Sequence, residues 1–221
     1  LPGAQSSGLD VATGIVFIHA HMSARPDLSR LLADIRACRV CENDLADGVR
    51  PVLRIGKTAR LCIAGQAPGM RVHNSGIPFN DPSGTRLRSW LGIDRETFYD
   101  ESRVAIVPMG FCFPGYDSNG ADKPPRLECV SNWHDRLFKS APKFKLVLAI
   151  GTYAQAYHLK MKPKKNVTET VRAWREYGPL AIPLPHPSWR NNGWLKKNPW
   201  FESELLPHLR ARVAEILSSA R

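Results

Sequence analysis

Residues 143–151, KFKLVLAIG, hold the clearest strand signal in the chain: a short apolar run closed by a glycine, with a helical stretch following to about Lys160. Three further runs of this kind stand at ARLCIAG (59–65), RVAIVPMG (103–110) and LAIPLP (180–185). Helical patterns lie around them. They are DLSRLLADIRA (27–37), SGTRLRSWLGI (83–93) from a Ser83 cap, PRLECVSNWHDRLFKSA (125–141) with a proline at its start, and ESELLPHLRARVAEILSSA (202–220) in spite of Pro207. Short apolar strands separated by helices predict an α/β fold: a three-layer α/β/α sandwich around a central four-stranded parallel sheet.

That architecture has a consequence for the loops. GQAPGM (65–70), GFCFPGY (110–116), GTYAQ (151–155) and HPSWRNN (186–192) each follow a strand directly. In an open parallel sheet the carboxyl ends of the strands share one edge, where ligands bind. Four unusual loops are therefore expected on one rim. In PLPHPSWRNNGW (183–194), His186 stands between Pro185 and Pro187, whose rings restrict the backbone and fix the position of the imidazole.

The 221 residues suffice for one domain with a sizeable core. His21-Met22 reads as an engineered junction, so residues 1–21 are expected to be foreign or disordered and residues 22–221 to form a single domain. No apolar run approaches the roughly 20 residues of a membrane span, and GIVFIHA (14–20) lacks the flanks of a signal peptide. The expectation is a cytoplasmic monomer without a membrane partner. Net charge is +11, and residues 160–200 hold nine Lys/Arg against two Glu, together with four of the six tryptophans. Cations interleaved with aromatics suit a phosphate backbone with unstacked bases; a solvated basic face beside a Trp-rich core is the plainer alternative.

Of five cysteines, Cys38 and Cys41 form a C-x2-C pair, and Cys112 and Cys129 stand apart further on. Four thiolates in two pairs suit a zinc ion or an iron–sulfur cluster. Nothing points to secretion, so disulfides are the poorer reading. Cys62, inside a strand, reads as a small buried hydrophobe. His73 and His134 read as surface or packing residues.

GQAPG (65–69), GIPF (76–79), the four cysteines in this arrangement and HPS (186–188), in this order and spacing, resemble the uracil-DNA glycosylase superfamily. The nearest branches are those with an iron–sulfur cluster, families four and five. The likeness runs from about Leu31 to Leu217. It implies the four-stranded parallel sheet already expected, and a DNA-repair hydrolase that flips a deaminated base out of the stack and cleaves its N-glycosidic bond. Cleavage leaves positive charge on the sugar and negative charge on the base, so donors must face the base and an acceptor the sugar. By the resemblance, His186 hydrogen-bonds the base oxygen, Phe79 stacks on the base, and Gly65, Gln66, Ala67 and Gly69 line the pocket. Ser188 lies in the same site. The segment from Ser188 to Trp194 presses into DNA, with Trp189 and Arg190 as the wedge. Asn191, Asn192, Lys196 and Lys197 complete the DNA contacts. The resemblance also implies a structural [4Fe-4S] cluster on Cys38, Cys41, Cys112 and Cys129, with zinc as the alternative.

Two departures from the pattern stand out. The first motif carries Gln66 and Ala67 where other branches carry a carboxylate. In family five the carboxylate comes from just after the Phe of the GIPF-like motif, and NDPSG (80–84) places Asp81 there, to orient the water; the competing role for Asp81 is the cap of the next helix. Asn80 is a weaker substitute. The second departure is Pro108, with Met109 beside it, where the strict uracil enzymes place an Asn that reads the base edge. Broad specificity is then expected, with hypoxanthine, xanthine or oxidised pyrimidines as further substrates. The alternative function is a non-catalytic protein that binds damaged or single-stranded DNA, and a third is an RNA-binding protein on the same fold.

Overall fold

The computed structural model describes residues 27–159 and 162–218; the expectation for residues 1–21 lies outside them. Strands β1 (Leu61–Ala64), β2 (Val104–Ile106), β3 (Leu146–Ile150) and β4 (Ala181–Leu184) form one sheet in the order β2-β1-β3-β4. Every pairing is parallel, with Leu61 opposite both Val104 and Leu146, and Val147 opposite Ala181. Ten α-helices accompany the strands among the described residues: α1 (Leu28–Arg36), α2 (Met70–Ser75), α3 (Pro82–Leu91), α4 (Arg95–Tyr99), α5 (Leu127–Cys129), α6 (Asp135–Ser140), α7 (Gly151–His158), α8 (Val167–Arg172), α9 (Asn192–Lys197) and α10 (Leu206–Ser218).

The alternation of strand side chains divides the core in two. Leu61, Ile63, Leu146, Leu148, Ile182 and Leu184 point to one face, where α3, α4, α8 and α10 bring Leu87, Phe98, Val171 and Leu209. Cys62, Ala105 and Val107 point to the other, against Leu28, Leu31, Leu32 and Ile35 of α1 and Leu137 of α6. Ala64 and Ala149, on that same side, accommodate Ala154 of α7. Strands buried on both faces explain why the runs read as continuously apolar. Each fully buried Leu or Ile contributes about 1.5–3 kcal/mol relative to exposure. Beyond β2, Arg54 exchanges backbone hydrogen bonds with Ile106 (2.9 and 2.7 Å) and covers the open edge.

The helical expectations need three adjustments. The cap of α3 is Asp81, not Ser83: Asp81 is extended and its Oδ1 accepts the Gly84 N–H at 2.9 Å. The stretch 125–141 is helical from Leu127 but passes through a π turn, Val130–His134, between α5 and α6. Five residues to that turn bring Cys129 and His134 to the same inward face, 9% and 0% exposed. The closing helix likewise begins with a π turn, Phe201–Leu205, in which the Leu206 N–H donates to the Phe201 carbonyl, and the chain stays helical through Pro207, the second residue of α10. Helices α2, α4, α8 and α9 are too short to announce themselves by periodicity.

Candidate active site

The loops after β1, β2 and β4 meet at the carboxyl edge of the sheet around a cavity of about 580 Å³. Its walls include Gly65, Gln66, Ala67, Gly69, Phe79 and Asp81. Pro108, Asp122, His186, Ser188, Trp189 and Arg190 close the other sides.

The loop 65–69 is held by the exit of β2: Met109 N–H donates to the Gly65 carbonyl and Gly110 N–H to that of Gln66, both at 2.9 Å. Gly65 lies beside the ring of Phe79, whose Cζ is 3.7 Å from where a Cβ would stand. Phe79 itself has φ +54, the left-handed region that a bulky residue adopts at a cost of about 1–3 kcal/mol. Three contacts hold it there. Phe98 packs edge-on to its ring at 6.2 Å, Tyr99 Oη donates to the Pro78 carbonyl at 2.9 Å, and α3 starts directly against the Phe79 carbonyl at Gly84. The flat face of a half-buried ring is thus fixed on the cavity wall. Asp81 caps α3 and also lines the same wall, so capping does not take it out of the cavity.

On the opposite loop, Pro185 and Pro187 are buried and His186 is exposed to the cavity between them. Ser188 N–H donates to His186 Nδ1 at 3.2 Å, which leaves the proton of a neutral ring on Nε2. Asn191 Nδ2 donates to the His186 carbonyl at 2.7 Å, and Arg86 of α3 donates to the Ser188 carbonyl at 2.9 Å. The ring is thus held at Nδ1, and the backbone that carries it at the His186 and Ser188 carbonyls. Protein packed around the ring lowers its pKa below the ordinary histidine value, opposed by the charges of Asp81 and Asp122, so the ring is neutral near pH 7.

Other expected residues divide. Trp189 is 70% exposed with Arg190 over its ring at 5.9 Å. The other tryptophans of the basic stretch pack inward. Trp174 is buried, and Trp194 and Trp200 lie against the main core, with Trp194 Nε1 donating to Thr168 at 2.7 Å. Only Trp189 among those four offers a free ring, which corrects the picture of several aromatics laid out for bases. Asn80 is not on the cavity wall; its Oδ1 accepts from Arg95 at 3.3–3.4 Å. Asn191 serves the His186 loop, and Asn192, Lys196 and Lys197 are on exposed positions of α9, beyond the cavity. Met109 is buried, and its carbonyl meets His134 Nε2 at 3.0 Å. His134 is a packing residue, stacked on Phe111 at 5.2 Å. Asp122 escaped the sequence reading. Its only signal was the Asn-Gly turn in DSNGAD (117–122), which marks a hairpin but not its destination.

Cys41, Cys112 and Cys129 are buried and Cys38 half-buried, and all are free thiols. They lie close enough for their charges to act on one another. Burial pushes the Cys112 and Cys129 thiols up, to about 11 and about 12. Phe111 N–H donates to Cys129 Sγ at 3.4 Å, and Arg126 reaches Cys41. Among the described residues, no three His, Cys, Asp or Glu are placed to hold a metal ion as they stand. No helix of the described residues is long and apolar enough to cross a membrane.

Comparison with known proteins gives two findings. The family model of the Uracil DNA glycosylase superfamily matches residues 54–210. Among solved structures, the chain is similar to one from Methanosarcina acetivorans, determined by NMR in solution and provisionally described as a uracil DNA glycosylase. The identity is 13%, the TM-score 0.42, and the match covers 73% of this chain and 98% of that one.

Proposed function

This chain belongs to the uracil DNA glycosylase superfamily, and from that premise we propose that it hydrolyses the N-glycosidic bond of uracil or another deaminated base in DNA. The observation that carries the reading is the neutral His186, its Nδ1 engaged by Ser188 N–H, in a cavity it shares with the immobilised Phe79. A base flipped out of the stack lies against the Phe79 ring. His186 Nε2–H donates to the base oxygen on which negative charge grows as the bond breaks; a fixed donor is worth most there, because it strengthens in the transition state. Asp81 presents a carboxylate to the positive sugar and orients the water. Trp189 and Arg190 fill the gap in the duplex, and Lys196 and Lys197 meet phosphates as a monomer engages DNA.

Pro108 has no N–H and lines the wall where a base edge would be read. This supports broad specificity. An excision assay on oligonucleotides bearing uracil, hypoxanthine or xanthine, followed by alkali, is expected to cleave more than one of them. Cleavage of uracil alone would mean that another group reads the base. The second reading, a non-catalytic binder of damaged or single-stranded DNA, is favoured by the lack of any carboxylate in loop 65–69; binding without cleavage would establish it. Preference for RNA over DNA would turn the assignment to an RNA-binding protein.

We further infer that Cys38, Cys41, Cys112 and Cys129 hold a [4Fe-4S] cluster, as in branches four and five. The donor set fits in kind, four thiols whose charges act on one another with N–H groups directed at two of the sulfurs, although no three stand at ligating positions as they are. The cluster would supply no step of hydrolysis. It would tie the end of α1 to the β2 exit loop and α5. Anaerobically purified protein is expected to contain iron and acid-labile sulfide in equal amounts, with visible absorbance lost in Cys112→Ser. Stoichiometric zinc instead would replace the cluster by the zinc alternative.

A further inference from the structure

The hairpin after β2 brings a second carboxylate to the cavity. Tyr116 pairs antiparallel with Asp122, Lys123 N–H donates to the Gly115 carbonyl at 2.9 Å, and Asp117 Oδ1 accepts from Asn119 and Ala121 N–H at 2.8 and 2.9 Å. Gln66 Nε2 then donates to the Lys123 carbonyl at 3.0 Å, fastening the hairpin to loop 65–69. Asp122 ends on the cavity wall with its Oδ2 3.6 Å from where a Cβ at Gly69 would stand. A carboxylate thus lies over the loop that has none of its own.

Asp81 and Asp122 both line the cavity and both act on the charge of His186, but their surroundings differ. Asp81 Oδ1 is held by the Gly84 N–H. The Asp122 carboxylate accepts no hydrogen bond among the described residues, and although the residue is exposed at the rim, the protein on its inner side pushes its pKa up. His186 and Arg190 oppose that shift; Arg71 and Asp81 share the cavity wall, and Lys123 is the neighbour in the chain. Two carboxylates in unlike environments divide acid–base work naturally: one is held by a backbone N–H, and the other has its oxygens available to take up a proton.

We propose that Asp122 is a catalytic residue: it accepts the proton of the attacking water, while Asp81, held by the Gly84 N–H, faces the sugar. The inference rests on the glycosylase reading. In the step, the C1′–N bond breaks and its electron pair leaves with the base, whose oxygen is held by His186 Nε2–H. The water oxygen forms the new C1′–O bond and its proton passes to Asp122. Solvent later takes that proton and protonates the base.

The test is single-turnover excision as a function of pH for the wild type, Asp122→Asn, Asp122→Glu and Asp81→Asn. A base must be ionised, so the wild-type rate is expected to fall as pH falls through the raised pKa of Asp122. Asp122→Asn is expected to slow excision about a hundredfold and to lose that acid limb, with unchanged melting temperature and oligonucleotide affinity. Asp122→Glu should recover part of the rate together with the limb. Asp81→Asn should lower the rate and keep the limb, which separates Asp122 from Asp81; loss of the limb in Asp122→Asn separates Asp122 from His186, whose own titration also lies low. Wild-type rate and an intact acid limb in Asp122→Asn would overturn the proposal and leave the glycosylase reading standing. A wild type that excises no base would overturn both.

Discussion

His186→Ala is expected to slow excision by about a hundredfold or more while weakening DNA binding only modestly. The substitution removes the one imidazole that the described residues bring to the cavity wall, with its Nε2–H, and leaves Phe79, Trp189 and Arg190 in place to bind. Ground-state affinity comes mostly from stacking and phosphate contacts, which the substitution does not touch. The lost interaction belongs to the transition state, where the base oxygen gains charge, so the deficit should appear in single-turnover rate and not in the dissociation constant. Neutrality of the ring matters to this argument. A neutral donor fixed by Ser188 N–H costs no reorganisation as charge develops, and a lowered pKa keeps it neutral at working pH. Unchanged turnover would remove His186 from the site.

Gly84→Ala should cause the largest loss of stability, at a position with no chemistry of its own. A Cβ there would stand 1.8 Å from the Phe79 carbonyl oxygen, 2.7 Å from its carbon and 2.9 Å from its Cβ. Two of those atoms are backbone, which cannot swing aside as the end of a flexible side chain does. Either α3 must retreat, breaking the Gly84 N–H bond to Asp81, or Phe79 must give up its left-handed conformation. Both routes displace a residue of the cavity. Overpacking of this severity is expected to cost about 3 kcal/mol or more, and a melting temperature lower by roughly 6–12 °C for a chain of this size. Gly193→Ala in α9 is the control, since a Cβ there meets nothing within 4 Å. Equal melting temperatures for the two variants would show that the start of α3 yields easily and that Phe79 is not held by it.

Comparison of these two positions shows what was legible beforehand. His186 was visible because two prolines and a strand end surround it, and rigidity of that kind is written locally. Gly84 looked like one more residue in the first turn of a helix. Its importance comes from Phe79, five residues earlier, folding back at φ +54, which no propensity anticipates. Asp81 was open between capping and the site, and the fold gives it both positions at once.

The sequence by itself determined the four strands, the major helices and their alternation, hence the parallel sheet with both faces covered. Those features rest on periodicity and on glycine and proline punctuation, which act over a few residues. Only the tertiary structure decided that β1 lies inside the sheet between β2 and β3. It also decided that three of the four tryptophans in the basic stretch pack inward, and that a hairpin from beyond β2 carries Asp122 back over loop 65–69. Each of these depends on pairings between residues tens of positions apart, such as Gln66 with Lys123 and Arg86 with Ser188. Contacts of that range are selected by the packing of whole elements against one another, and no short window of sequence contains both partners.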